Sequence, residues 1–135
     1  MEIIEKICMD TNTYSAFKRN NTEVISLLET AENIYIPSIV IGELFAGFYM
    51  GRKTKANISE LDDFLSLPGV EVTPVDKKVA KRYGYLIKEL RAKGTPLPSN
   101  YIWISATCFE TASVILTNDK HFDLVPGLML RCYDE

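Results

Sequence analysis

Histidine, cysteine and long apolar runs are scarce in this chain of 135 residues. Its single histidine, His121, excludes a histidine-rich metal centre. The three cysteines form no C-x-x-C pair, which argues against a zinc site or a disulfide framework and favours buried thiols in a reducing compartment. No apolar run approaches the roughly 18 residues that a membrane span needs, and the first residues are acidic where a signal peptide would be basic. The sequence therefore predicts a cytoplasmic protein with no membrane segment.

An excess of positive charge is also absent. The chain has 15 basic and 18 acidic side chains and a net charge of −3, which excludes a uniformly basic nucleic-acid-binding protein. The basic residues are unevenly placed, however. Residues 77–93 carry seven of them against one acid, Glu89, so this segment is +6 and the rest of the chain is −9. The segment predicts either a solvated helix face or a surface that binds phosphate groups. A smaller basic cluster occupies residues 52–55.

Short strand-like runs alternate with longer helical ones along what we expect to be a single domain, residues 1–135. The predicted strands are 3–9, 34–36, 70–75, 114–117 and 128–133. The predicted helices are 13–18, 22–31, 39–50 with Ser38 as N-cap, 54–66, 77–93 capped by Asp76, and one that Ser99 or Asn100 caps and that ends near 112. This alternation predicts an α/β fold with a central parallel sheet flanked by helices. Ligands of such sheets bind at the carboxyl ends of the strands, near a switch in strand order.

Two acids lie at or just past the ends of predicted strands. Asp10 ends the first apolar run and Asp119 comes just after the run 114–117, so both are expected at the carboxyl edge of the sheet. An aspartate after a strand is commonly a turn residue or a helix cap, and position alone favours that simpler role.

Glu43 is a sharper signal, because it is the only charged residue between positions 39 and 51. A helix that is apolar on nearly every side is predicted to be buried. A buried carboxylate costs on the order of several kcal/mol unless it is neutral, paired or bound to a metal. A salt bridge is the simpler explanation, although no basic residue lies between Arg19 and Arg52.

Three carboxylates at one sheet edge repel one another, and such a cluster is tolerated with a cation or with raised pKa values. Oxygen ligands without cysteine or a histidine set point to a hard ion, Mg²⁺ or Mn²⁺. A carboxylate site of this kind activates water and clamps phosphate oxygens, as in nucleases and phosphatases. The residues alone thus predict metal-dependent phosphoryl chemistry and leave its substrate open.

Four blocks of the sequence resemble the PIN-domain family and, within it, the VapC-like toxins of bacterial and archaeal toxin–antitoxin pairs. In order along the chain they are 9–12 (MDTN), 37–44 (PSIVIGEL), 98–106 (PSNYIWISA) and 116–122 (LTNDKHF). Each block alone is a weak signal. Together they occur in the family's order, at family-like separations and on the expected elements, so the resemblance covers nearly the whole chain.

The resemblance implies a PIN-like three-layer sandwich and an Mg²⁺- or Mn²⁺-dependent endoribonuclease that cleaves RNA phosphodiesters. It implies that Asp10, Glu43 and Asp119 are the catalytic acids and metal ligands, with Asn12 and Thr117 as supporting residues. It also implies a cognate VapB-like antitoxin that blocks the site, and pairing of the toxin as a homodimer.

Tyr101 departs from the family pattern, because the third block normally carries an aspartate at this position. A phenol supplies no negative charge and is a poor Mg²⁺ ligand, and Asn100 offers a carbonyl oxygen but no charge. We therefore expect this copy to be catalytically impaired. The alternative is an inactive PIN module that only binds antitoxin or RNA, and a phosphatase or DNA-directed nuclease with the same carboxylates is a third possibility.

Two explanations of Tyr101 compete. The chain belongs to a degenerate lineage that only binds its partner, or the substitution was selected or engineered because the active toxin kills its host. The other motif residues are intact, whereas drift erodes several together, and this favours the second explanation.

Overall fold

The computed structural model describes residues 1–135. Five strands form the sheet: β1 (Lys6–Met9), β2 (Asn33–Pro37), β3 (Val70–Thr73), β4 (Val114–Thr117) and β5 (Leu130–Cys132). Six α-helices accompany them: α1 (Thr11–Lys18), α2 (Thr22–Thr30), α3 (Ser38–Met50), α4 (Thr54–Leu65), α5 (Lys77–Lys93) and α6 (Ser99–Thr111). A short 3₁₀ helix, Lys120–Leu124, follows β4. None of the helices is long and apolar enough to span a membrane.

The sheet is parallel throughout, with the strand order β3-β2-β1-β4-β5. Ile7 of β1 lies opposite Ile34 on one side and Val114 on the other. The chain therefore builds one half of the sheet outward from β1 and then returns to build the other half. The strand order switches between β1 and β4, and this is where parallel α/β sheets place their ligands. The predicted α/β fold with a central parallel sheet is confirmed.

The core forms around β1, whose Ile7, Cys8 and Met9 are fully buried. A strand covered on both faces is apolar at every position, as these three residues are. The main cluster joins the sheet to helices α1 to α4 and, through Ile104 and Cys108, to α6. A smaller cluster lies between α5 and α6. The expectation of buried thiols is correct for Cys8 and Cys108 and wrong for Cys132, which is exposed on the edge strand β5.

Several of the predicted bounds are wrong. Helix α1 begins at Thr11 rather than 13, and β3 ends at Thr73 rather than 75. Strand β5 spans Leu130–Cys132 rather than 128–133.

The start of β1 and the predicted helix caps also differ from the structure. Strand β1 begins at Lys6 rather than Ile3, because pairing with β2 starts where Lys6 meets Asn33. Ser38 and Ser99 are not helix caps: each is the first residue of its helix, and the preceding proline takes the cap position without a side-chain hydrogen bond. Asn100, the alternative cap, lies inside α6. Proline has a fixed φ and an extended ψ here, which ends the incoming segment and leaves the serine inside the first turn.

Helix α3 is not the buried helix that its composition predicted. Only Val40 and Leu44 of its residues are buried, whereas Tyr49 and Met50 are 67% and 83% exposed. The helix packs against β2, α1, α4 and α6 and leaves its far end uncovered. The apolar composition of α3 therefore reflects an exposed apolar surface as well as core packing.

Gly69, which begins the approach to β3, has a φ of +83°, and a Cβ at this position would lie 2.6 Å from the carbonyl oxygen of Glu32. We expect Gly69→Ala to lower the free energy of unfolding by about 2–3 kcal/mol, because backbone strain and a backbone clash add. Gly94→Ala is the matched control, since Gly94 also has a positive φ but open space around it, and should cost roughly 1 kcal/mol. Urea denaturation measures both; equal losses would contradict the clash.

Candidate active site

A pocket of about 220 Å³ opens where β1 and β4 end. It contains all three acids that the sequence predicted for one site. Its lining consists of Asp10, Thr11, Asn12, Glu43, Asn100, Tyr101, Ile104, Asp119 and Phe122. Residues that are far apart in the chain meet here because parallel strands end at one edge and α3 and α6 begin beside it.

Asp10 is the most deeply buried of the three acids in the pocket, with only 5% of its surface exposed. It is the N-cap of α1, and its Oδ1 accepts a hydrogen bond of 2.8 Å from the backbone N–H of Thr13. Its Oδ2 accepts from the hydroxyl of Thr117. Burial raises the pKa of Asp10, and the hydrogen bonds from Thr117 and Thr13 offset part of that effect. Asp10 is thus both the N-cap of α1 and a residue of the pocket.

Thr117, the last residue of β4, joins two of the acids. Its buried hydroxyl donates to Asp10 and accepts a hydrogen bond of 3.0 Å from the backbone N–H of Asp119. Asn12, the other predicted supporting residue, lines the pocket but makes no hydrogen bond to the acids. Its Nδ2 lies 3.5 Å from Oδ1 of Asn118 at the surface.

Asp119 caps the 3₁₀ helix that follows β4. Its Oδ1 accepts from the backbone N–H of His121 at 3.0 Å and lies 2.7 Å from Nδ1 of the same histidine. Its Oδ2 accepts from the Tyr101 hydroxyl at 2.7 Å. Burial alone would raise the pKa of Asp119, but the hydrogen bonds from His121 and Tyr101 together lower it below its usual value.

Glu43 is half-buried on α3 and has no lysine or arginine partner, so the salt-bridge explanation is wrong. Its Oε1 accepts a hydrogen bond of 2.8 Å from the hydroxyl of Thr11, and Nδ2 of Asn100 lies 3.4 Å from its Oε2. Asn100 presents its amide nitrogen to the acid, not the carbonyl oxygen that the sequence suggested. Thr11 was missed, although its position directly after Asp10 at the start of a helix placed it beside the site.

Tyr101 fills the position where the resemblance expects an acid. Besides its hydrogen bond to Asp119, its ring stacks on His121 at 4.9 Å between centroids and meets Phe122 edge-on at 5.1 Å. The hydrogen bond to Asp119, with burial, raises the pKa of Tyr101 to about 12. The side chain of His121 is 59% exposed, yet it contacts both Tyr101 and Asp119.

All six carboxylate oxygens of the three acids therefore accept a hydrogen bond from the protein. The donor set, three carboxylates beside an amide, has the oxygen chemistry that fits a hard divalent cation. No group of three or more Asp, Glu, His or Cys side chains is arranged to hold a metal ion, however. Hydrogen bonds, rather than convergence on one point, hold the acids in this state of the protein.

Comparison with known proteins places this pocket in a family. The family profile described as PIN domain matches residues 7–128. Ribonuclease VapC2 of Rickettsia felis is 34% identical over 117 residues, which are 86% of this chain and 84% of that protein. The tRNA(fMet)-specific endonuclease VapC of Salmonella typhimurium is 29% identical over 130 residues, which are 93% of this chain and 96% of that protein.

Solved structures agree with these sequence matches. VapBC2 from Rickettsia felis, solved on a DNA fragment from its promoter, contains a chain that superposes with a TM-score of 0.85 at 29% identity, over 96% of this chain and 99% of that one. DNA-bound VapBC from Salmonella typhimurium gives a TM-score of 0.83 at 26% identity, over 96% and 98%.

The burial of Asp10 gives a stability prediction. Asp10→Asn removes a buried negative charge near Asp119 and keeps a side-chain oxygen for the N–H of Thr13. We expect the free energy of unfolding at pH 7.5 to rise by about 1 kcal/mol. Because the pKa of Asp10 is raised, wild-type Asp10 takes up its proton as the pH falls through that value, and the advantage of the variant should disappear there.

Chemical denaturation at pH 7.5 and at pH 4 measures this difference. Asp76→Asn is the matched control, because Asp76 caps α5 through a similar bond of 3.0 Å to the N–H of Val79 but is exposed. It should give no gain. A gain at Asp76 as large as that at Asp10, or a loss at Asp10, would contradict the role of burial.

Proposed function

This chain belongs to the PIN-domain family, and we propose that it is an endoribonuclease toxin of a VapBC-type toxin–antitoxin pair, acting in the cytoplasm as the single domain 1–135. The observation that carries the proposal is the meeting of Asp10, Glu43 and Asp119 in one pocket at the carboxyl edge of the sheet. The relatives named as VapC ribonucleases support the reaction class.

The proposed substrate is an RNA phosphodiester. Asp10, Glu43 and Asp119 are the residues that would hold Mg²⁺ or Mn²⁺, which supplies water activation and neutralises phosphate charge in such sites. Thr117 keeps Asp10 and Asp119 in fixed relation, while Thr11 and Asn100 orient Glu43. These hydrogen bonds position the acids toward the common pocket before substrate arrives.

Tyr101 is the reason to propose that this copy is impaired. Its hydroxyl donates to Oδ2 of Asp119, one of the oxygens that a cation would need. It also replaces a negative charge with a neutral group, which weakens a site whose affinity depends on the charge of its ligands. Activity is expected to be low rather than altered in kind.

A second candidate is an inactive PIN module that only binds antitoxin or RNA. It is favoured by the same hydrogen bonds, because a pocket whose six carboxylate oxygens have protein donors is satisfied without a cation. The two candidates differ in what restoring the acid at position 101 should do.

A VapB-like antitoxin and a second copy of this chain are the proposed protein partners. The solved relatives described as VapBC complexes support the antitoxin. The uncovered apolar end of α3 supports a protein contact, since Tyr49 and Met50 are largely exposed and Tyr49 stacks on Phe45.

Tyr101→Asp tests the proposed activity. It removes the hydroxyl from Asp119 and adds a fourth carboxylate, so we expect Mn²⁺ affinity to rise about tenfold or more and Mg²⁺- or Mn²⁺-dependent cleavage of RNA to rise by about two orders of magnitude. Calorimetry measures the first change and a gel assay on total RNA, with DNA and a small phosphoester as comparison substrates, measures the second.

Tyr101→Asn is the matched control, because it has the size of aspartate without the charge and should stay inactive. Glu43→Gln in the Tyr101→Asp background should abolish the restored cleavage. A Tyr101→Asp protein that binds Mn²⁺ no better than wild type and cuts no RNA would overturn the enzyme proposal and leave the binding module. Restored cleavage of DNA or of the small phosphoester, but not of RNA, would overturn the substrate.

A further inference from the structure

The exposed face of α5 carries a line of side chains that the active site does not use. Lys78, Lys81, Tyr85 and Lys88 follow one another at spacings of three, four and three residues, and Lys77 lies beside them. We call these five residues the α5 stripe. Residues at these spacings share one face of a helix, and all five are exposed, with Tyr85 at 52%.

The opposite face of α5 is what holds the stripe rigidly. Val79, Leu86 and Leu90 are buried against α6, and the ring of Tyr83 stacks on Trp103 at 3.7 Å between centroids. Trp103 is thus a half-buried partner of α5. The stripe therefore lies on a helix that is fixed along its length, not on a mobile loop.

The charge of the stripe is not neutralised by the protein. None of its four lysines forms an ion pair. The segment that contains it is +6 in a chain whose remainder is −9, so the positive charge is concentrated rather than spread over the surface.

A groove of about 540 Å³ borders the stripe. It is lined by Lys78, Lys81, Arg82, Tyr85 and Glu110. Its one carboxylate, Glu110, is already paired with Arg82 at 2.9 Å. The groove thus presents ammonium groups together with an exposed aromatic ring, the combination that binds the phosphates and stacks the bases of single-stranded nucleic acid.

The stripe lies apart from the acid pocket but on a connected path. Glu110, beside the stripe, is nine residues along α6 from Tyr101, or about 13 Å. The far end of α5, with Arg91 and Lys93, leads through the short loop 94–98 into Asn100 and Tyr101. A strand lying along α5 therefore runs toward the three acids.

We propose that the α5 stripe binds the backbone of single-stranded RNA outside the active site, with Tyr85 stacking on one base. The inference rests on the proposed function, because RNA is the substrate proposed there. The lysines supply affinity that does not depend on base sequence, and the acid pocket, which repels phosphates, supplies none of it.

Fluorescence anisotropy with a labelled 12-nucleotide single-stranded RNA in EDTA tests the stripe without any turnover. For Lys78→Ala/Lys81→Ala we expect Kd to rise about tenfold and the slope of log K against log salt to fall by about 1.4, the value for two phosphate contacts on a single strand. Tyr85→Ala should raise the Kd for RNA about fivefold or more with the salt slope unchanged, and Tyr85→Phe should bind RNA as well as wild type. Circular dichroism melting checks that each variant is folded.

Lys53→Ala/Lys55→Ala is the matched control, because it removes the same charge from the start of α4. Binding near the wild-type value in this control supports the stripe, and an equal loss in both double variants would overturn it in favour of net charge alone. Tyr85→Ala binding as well as wild type would overturn the stacking. Displacement of the RNA by poly-glutamate at equal charge would also overturn the proposal, because the face would then be a general polyanion surface.

The inference and the proposed function fail separately. If Tyr101→Asp cleaves RNA while the stripe variants bind RNA normally, the stripe is wrong and the nuclease stands. If the stripe variants lose RNA binding while Tyr101→Asp never cleaves, the nuclease is wrong and the stripe stands.

Discussion

Mutual repulsion among Asp10, Glu43 and Asp119 is the constraint around which this protein is organised. The parallel sheet brings them to one edge because β1 and β4 are neighbours and α3 begins at that edge. Like charges in one pocket need compensation, and the chain provides it with a hydrogen-bond donor for every carboxylate oxygen. Thr117 is central, since it bonds Asp10 and Asp119 at once. Without these hydrogen bonds, repulsion among the three carboxylates would lower the stability of the fold.

Tyr101 changes what this pocket does with its charge. An acid at that position would add to the repulsion and increase the demand for a cation, whereas the tyrosine relieves it by donating to Asp119. The stack of Tyr101 on His121 and its edge contact with Phe122 hold the hydroxyl in place. One residue therefore satisfies an oxygen of the resting pocket and, in the proposed function, is the cause of low activity. The α5 stripe lies outside this pocket, and its lysines form no ion pair, so their charge is free for the RNA backbone that we propose it binds.

The sheet and the edge at which the acids meet could be predicted from the sequence, because strand ends and lone charges in apolar segments can be read along the chain. That Tyr101 stands where an acid is expected came from the resemblance to the PIN-domain family alone. The prediction was wrong for α3, where burial depends on neighbouring helices. Its apolar composition, with Glu43 as the only charge, suggested a fully buried helix. The position of Thr11 next to Asp10 could be read from the sequence, but the partners of Thr11, Asn100 and His121 could not. They depend on how α1 and α3, α6 and the 3₁₀ helix are rotated about their own axes, which tertiary packing sets.

Crystals of wild type and of Tyr101→Asp, soaked in the same Mn²⁺ concentration and measured at the manganese absorption edge, show whether the three acids form one cation site that Tyr101 blocks. We expect an anomalous peak in the variant, bonded to carboxylate oxygens of Asp10, Glu43 and Asp119, and no such peak in wild type. A peak on the same three carboxylates in wild type would contradict the role of Tyr101. A variant whose manganese lies elsewhere, or that binds none, would contradict the idea that these acids form one cation site.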